Sequence, residues 1–234
     1  MMKNRECILD EFNNVPSGTL IMTGKLYRDK YSSVMSEVAF AQAVSRLCRS
    51  GKITRISKGI YCYPKKTSFG TVLPSDRDIV RIFTMDSYGV VVGYDLYNEL
   101  GITTQVSKKK LVYSSMSEEQ LKQIGNVVVH KYDLEYTPEI KTIIKMMEVL
   151  HHYRDIQDIN GSMMIHALER LVSEYSDEAF DVVQKEIGYP KWVIAFLREV
   201  LNYYHIPNNL NRYLSALTTY SIPRMEDLYA ITWK

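Results

Sequence analysis

SEVAFAQAVSRLCRSGKITRISKGIYCY, residues Ser36 to Tyr63, is the stretch whose reading decides the fold. Phe40, Val44, Leu47 and Cys48 recur at i, i+4, i+7 and i+8, which lays one apolar stripe along an α-helix and predicts a helix from Ser36 to Ser50. Gly51 fits the left-handed position that closes such a helix. Lys52-Ile53-Thr54-Arg55-Ile56, then Ser57-Lys58-Gly59, then Ile60-Tyr61-Cys62-Tyr63 reads as a β-hairpin. A glycine at the third loop position is what a type I turn with a G1 bulge demands, because that residue takes positive φ.

Away from the stripe, the predicted helix carries Gln42, Ser45, Arg46 and Arg49, none of them acidic. Between Glu37 and Asp76 there is no acidic residue, and there are seven basic ones. Upstream, Arg5 to Asn14 reads as a helix with Ile8, Leu9 and Phe12 on one face, ended by Val15-Pro16-Ser17-Gly18. Thr19 to Met22 is extended, and Thr23 is placed to cap a brief helix to Asp29. Helix, short helix, longer helix and basic hairpin, in that order, make a winged helix-turn-helix, whose third helix enters the major groove. On this reading Gln42, Ser45, Arg46 and Arg49 face base edges or adjacent phosphates, and Lys52, Arg55 and Lys58 bring cations to phosphates. A merely solvated surface is the plainer reading of any basic stretch. The glycine-closed helix, the hairpin tipped by Lys58 and the absence of acids among the cations favour DNA.

Charge distribution agrees. Residues 1–75 hold 12 Lys/Arg against 5 Asp/Glu, whereas the remainder holds 17 against 22, so a net charge of +2 conceals a basic N-terminal part and an acidic rest. A hydrophobic fraction of 46% with 24% charged residues is that of an ordinary globular protein. No apolar run approaches the ~20 residues of a membrane span. The polar opening Met1-Met2-Lys3-Asn4-Arg5-Glu6-Cys7 lacks the core of a signal peptide. Cys7, Cys48 and Cys62 share no metal-ligand spacing and read as buried free thiols, so a cytoplasmic location and no membrane partner are expected.

Downstream, Lys65 to Gly70 reads as a linker, and Pro74-Ser75 starts a helix with Ile79, Val80, Ile82 and Phe83 on its apolar side. Val90-Val91-Val92 is a buried strand, and Gly93 to Gly101 a short helix. Strands near Lys110–Ser114 and Asn126–Tyr132 flank a predicted helix at Ser117–Ile124. Gly93 is read as a packing turn rather than a nucleotide site, since no GxGxxG or Walker pattern accompanies it.

Arg46-Leu47 followed by Gly51-Lys52-Ile53 and Arg55 to Tyr61, with Gly93-Tyr94 and Leu100-Gly101-Ile102-Thr103-Thr104-Gln105 beyond, resembles the AbiEi-type antitoxins over roughly residues 5–150. That resemblance implies an antitoxin of a type IV toxin–antitoxin, or abortive phage infection, system. Such proteins repress their own promoter through the winged domain and counteract a nucleotidyltransferase-like toxin. Double-stranded operator DNA, self-association on it and such a toxin are the partners implied. The chain departs from shorter relatives in its long helical C-terminal part.

There, Thr137-Pro138-Glu139 is a strong helix start, and Ile140, Ile143, Ile144, Met147 and Leu150 form its stripe. Further helices are predicted at Ser162–Tyr175, Asp177–Ile187, Lys191–His205 and Asn209–Tyr220. Tyr203, Tyr204, Tyr213, Tyr220, Tyr229 and Trp233 read as core or interface. His151, His152, Asp155, Asp158 and His166 invite a metal reading, but no HExxH pattern and no third ligand at convincing spacing supports it, so the cluster is read as structural. The predicted fold is thus α+β and mainly helical: a winged helix-turn-helix at 1–66, a small α+β unit at 67–136 and an irregular α-bundle at 137–234. No enzyme activity, catalytic residue, metal or cofactor is expected. The competing function is a winged module that binds protein, or a transcriptional regulator without a toxin partner.

Overall fold

A computed structural model describes residues 2–68 and 70–229. Phe69, the side chain of Tyr229 and Trp233 lie outside the described residues. The fold is mixed α+β and divides into two compact units, Met1–Ile82 and Phe83–Lys234.

The first unit is built on the stretch quoted above. Helix α1 (Met2–Asn13) is followed by β1 (Leu20–Met22), α2 (Thr23–Leu26), a π-helical turn (Tyr27–Tyr31), α3 (Glu37–Arg49) and the hairpin β2 (Thr54–Ser57) and β3 (Ile60–Cys62). The Ser36 hydroxyl accepts from the Ala39 N–H and caps α3. Its other end closes on Gly51 at φ +68, with the Lys52 N–H reaching back to the Leu47 carbonyl. Phe40, Val44 and Leu47 turn inward with Ile8, Phe12, Tyr31 and Ile53 to form one core, and Tyr27 and Tyr31 flank the Phe40 ring at 5.4 and 5.3 Å.

Three antiparallel strands in the order β1-β3-β2 lie in this unit, with Leu20 opposite Cys62 and Arg55 opposite Tyr61. The register slips between Arg55 and Ser57, and Gly59 sits at φ +75, as the bulged turn requires. Thr23 does not cap α2. Its N–H and its hydroxyl both donate to the Gly59 carbonyl, at 2.9 and 3.1 Å, and tie the start of α2 to the hairpin turn.

Residues 65–72 are not a plain linker but a second hairpin, β4 (Lys65–Thr67) and β5 (Gly70–Val72). Its described side chains are exposed, so it has no apolar alternation to reveal it; backbone pairing defines it, with the Thr67 hydroxyl donating to the Gly70 carbonyl at 3.0 Å. Of the three thiols, Cys62 is buried, Cys48 half-buried and Cys7 exposed on α1, so the expectation of buried thiols holds only in part.

Helix α4 (Asp76–Thr84) carries the boundary to the second unit. There β6 (Gly89–Val92), α5 (Tyr94–Glu99), β7 (Lys110–Ser114), β8 (Leu121–Ile124) and β9 (Val127–Lys131) give a four-stranded sheet in the order β6-β7-β9-β8. The β7–β9 pair is parallel and the other two are antiparallel. Gly93 takes φ +68, and a Cβ there would stand 3.0 Å from Leu111, so it is a packing position. The helix predicted at Ser117–Ile124 is absent. The Ser117 hydroxyl accepts from the Glu119 N–H and donates to its carbonyl, closing a local turn, and the chain then pairs with β9.

Helix α6 (Pro138–His152) begins where the Thr137 hydroxyl accepts from the Ile140 N–H, with proline at the first position. The predicted stripe is buried, and so are Met146, Val149, Thr142 and Glu148. Around α6 pack β6, α7 (Gly161–Val172), α8 (Asp177–Ile187) and α9 (Lys191–Tyr203), sharing one core with α5. The helix predicted at Asn209–Tyr220 shrinks to a single 3₁₀ turn at Leu210–Tyr213, before α10 (Met225–Tyr229). Side chains of α8 hold this segment: Asp177 accepts from the Asn209 N–H, and Asp181 from Arg212 and the Tyr213 hydroxyl. No helix among the described residues is long and apolar enough to cross a membrane.

Leu47 is fully buried where the α3 stripe meets α1, so Leu47→Ala combines lost transfer energy with a cavity. A loss of roughly 2–5 kcal/mol is expected in urea unfolding of the full chain. A loss below about 1 kcal/mol would show that α3 is not anchored through this residue.

Candidate nucleic-acid interface

Helix α3 has two chemically distinct sides. With Phe40, Val44 and Leu47 in the core, Gln42, Arg46 and Arg49 are exposed and Ser45 is half-buried. Positions 42, 45, 46 and 49 follow the i, i+3, i+4, i+7 spacing, so the structure brings these four side chains to one helix surface. The Arg46 and Arg49 guanidinium groups form no ion pair with any described residue. Both lie in the last turn of α3, where the helix dipole favours cations by about 0.3–1 kcal/mol. That small gain does not call for two arginines flanked by an amide and a hydroxyl in a sequence run without acids.

Lys52 is exposed in the loop after α3, Arg55 is exposed on β2, and Lys58 is exposed at the hairpin turn. The Arg55 Nε–H donates to the Ser57 carbonyl at 3.4 Å, a weak contact that leaves its terminal nitrogens available. Sequence reasoning passed over Val38, which is 68% exposed and lies four residues before Gln42 on the same surface of α3. An apolar residue off the stripe carries no periodic signal, and only its exposure marks it.

The histidines and aspartates that the sequence groups, read there as structural, do not all come together. Asp158 accepts a hydrogen bond from the Gln105 side-chain amide, and His166 lies 3.5 Å from Glu169 on α7. What does assemble is Glu148, His151 and His152, at the end of α6. Glu148 is buried, and its Oε1 accepts from the Tyr113 and Tyr189 hydroxyls at 3.0 and 2.8 Å. Burial, reinforced by His152, pushes the His151 imidazole below its ordinary value.

The same environment acts on the phenols. Burial first, then neighbouring carboxylates, raises Tyr97, Tyr113 and Tyr189 well above the ordinary 10.0, with Glu148 the leading charge in each case. A phenol raised in the folded state contributes stability that is complete below pH 10.0 and declines as the pH climbs past it, because the unfolded chain then releases protons that the folded chain retains. The melting temperature is therefore expected to drop progressively above about pH 10. A flat profile to about pH 11 would contradict the burial of these hydroxyls.

Residues 8–132, more than half of the 234-residue chain, match the model of a family described as "Family of unknown function (DUF6088)". No curated protein matches the chain.

Proposed function

The chain belongs to the DUF6088 family, and we propose that it is a DNA-binding autorepressor of the antitoxin type. In this reading residues 1–66 form a winged helix-turn-helix, α3 enters the major groove, and the β2–β3 hairpin is the wing. The observation that carries it is the outer surface of α3: Gln42, Ser45, Arg46 and Arg49 side by side, in a stretch of sequence without acids from 38 to 75 and with guanidinium groups that form no ion pair among the described residues. The order of α1, α2, α3 and the basic hairpin supports it.

Amide and guanidinium groups read different base edges: Gln42 offers a bidentate match to adenine, and Arg46 and Arg49 to guanine. The exposed Val38 adds a surface suited to a thymine methyl. Lys52, Arg55 and Lys58 contribute phosphate contacts, which raise affinity without sequence information. Operator DNA and a second copy of the chain on it are the nucleoprotein partners. Counteraction of a nucleotidyltransferase-like toxin in the cytoplasm rests on the resemblance to AbiEi-type antitoxins, and the acidic remainder of the chain is the surface proposed for it.

DNA upstream of the chain's own reading frame supplies the probe. Arg46→Ala with Arg49→Ala is expected to abolish retention in a gel-shift assay, while stability falls by no more than the roughly 1–2 kcal/mol that two exposed last-turn cations contribute. Undiminished retention by the double variant would sink the DNA assignment.

Salt offers a second measure, because each phosphate contact contributes about −0.9 to the slope of log affinity against log salt. Lys52→Ala should flatten that slope by about 1 without changing sequence preference. A salt-independent signal, with a protein partner co-purifying, would instead favour a winged interaction module. Toxin neutralisation is tested by co-expression with the neighbouring nucleotidyltransferase-like gene, where sustained toxicity would exclude the antitoxin role.

A further inference from the structure

We propose that Glu148, His151 and His152 bind one divalent transition-metal ion of the zinc class at the C-terminal turn of α6. The three residues stand at i, i+3 and i+4, so they share one side of the helix, and their ligand atoms all lie within 4.8 Å of one another. Glu148 Oε2 is 3.8 Å from His152 Nε2. Two ligand atoms on a tetrahedral zinc ion stand about 3.4 Å apart, so small side-chain rotations close the set.

The surroundings point the ligands inward. Glu148 has only 4% of its side chain exposed. Its Oε1 takes both tyrosine hydroxyls, while Oε2, nearest His152, receives no hydrogen bond from any described residue. Asp155 Oδ2 lies 3.6 Å from His152 Nδ1, just beyond hydrogen-bond distance, so a small rotation would let it hold the imidazole with Nε2 toward the ion. The His151 ring rests against Trp192 and Tyr189, at 5.6 and 6.0 Å between centroids, which fixes its plane. His152 is 41% exposed, giving the ion a route in and water a place as the remaining ligand.

Two imidazoles and one carboxylate select zinc, nickel or cobalt over magnesium or calcium, which favour oxygen-rich sets. Sequence reasoning missed the site because the third ligand, an acid within an apolar helix, looks like a solvent-facing residue.

The full chain, stripped with chelator and dialysed, is titrated with Zn²⁺ by calorimetry and with Co²⁺ by visible absorption. One equivalent is expected, with the cobalt absorption of a four-coordinate site, and excess Mg²⁺ should not compete. His152→Ala should weaken Zn²⁺ binding at least about tenfold. Glu148→Gln, which retains an acceptor for both tyrosines, should do the same, whereas His166→Ala should bind as wild type. If Glu148→Gln does not fold, the half-exposed His152 decides the matter. Binding unaffected by His152→Ala, or equally weakened by His166→Ala, would place the metal elsewhere and overturn the proposal. The Arg46/Arg49 double variant should bind Zn²⁺ normally, so this result is independent of DNA binding.

Discussion

A helix buried on nearly every side must take its polar side chains into the core with it, and α6 is such a helix. Lys141 and Lys145 remain half-exposed, but Thr142 and Glu148 go inside with the apolar residues around them. A buried carboxylate left without donors is strongly destabilising, by several kcal/mol. Thr142 meets Glu174 at 2.9 Å, and Glu148 meets the Tyr113 and Tyr189 hydroxyls. Those partners come from α7's C-terminal flank, from the sheet and from the segment between α8 and α9. Satisfying one helix therefore constrains the placement of elements far apart in the chain. The sheet and the helices beyond it share one core because α6 needs both.

The N-terminal unit obeys a lighter constraint. Its core is the α3 stripe set against α1 and Ile53, and its outward surface is free to be cationic. Stability and the proposed recognition thus occupy opposite sides of one helix. Exposed substitutions on that side leave Phe40, Val44 and Leu47 untouched, so the proposed recognition surface can change without loss of fold.

Local signals in the sequence were reliable where a cap and a stripe coincide. Ser36 with Phe40, Val44 and Leu47, and Thr137-Pro138 with the isoleucines of α6, place both helices to within a residue or two. Legibility failed where a distant partner decides. Ser117-Glu118-Glu119 imitates a capped helix start, yet its turn is local and β9 recruits the following residues as a strand. Asn209 to Tyr213 has helical spacing, but Asp177 and Asp181 bind it from 31 or 32 positions away. Glu148 is the extreme case, since its partners lie 35 and 41 positions off and no window of sequence contains them together. The exposure of Gln42, Arg46 and Arg49 was legible, because it follows from the same periodicity that buries the α3 stripe. Val38 was not.

The double hydrogen bond from Thr23 to the Gly59 carbonyl has an evolutionary corollary. Because the acceptor is a main-chain atom, the clasp does not itself depend on the identity of most side chains in the turn. Insertion or deletion is another matter: one residue more or fewer between β2 and β3 would carry that carbonyl out of reach. Hairpin length, rather than hairpin composition, is the quantity this clasp preserves as the sequence drifts.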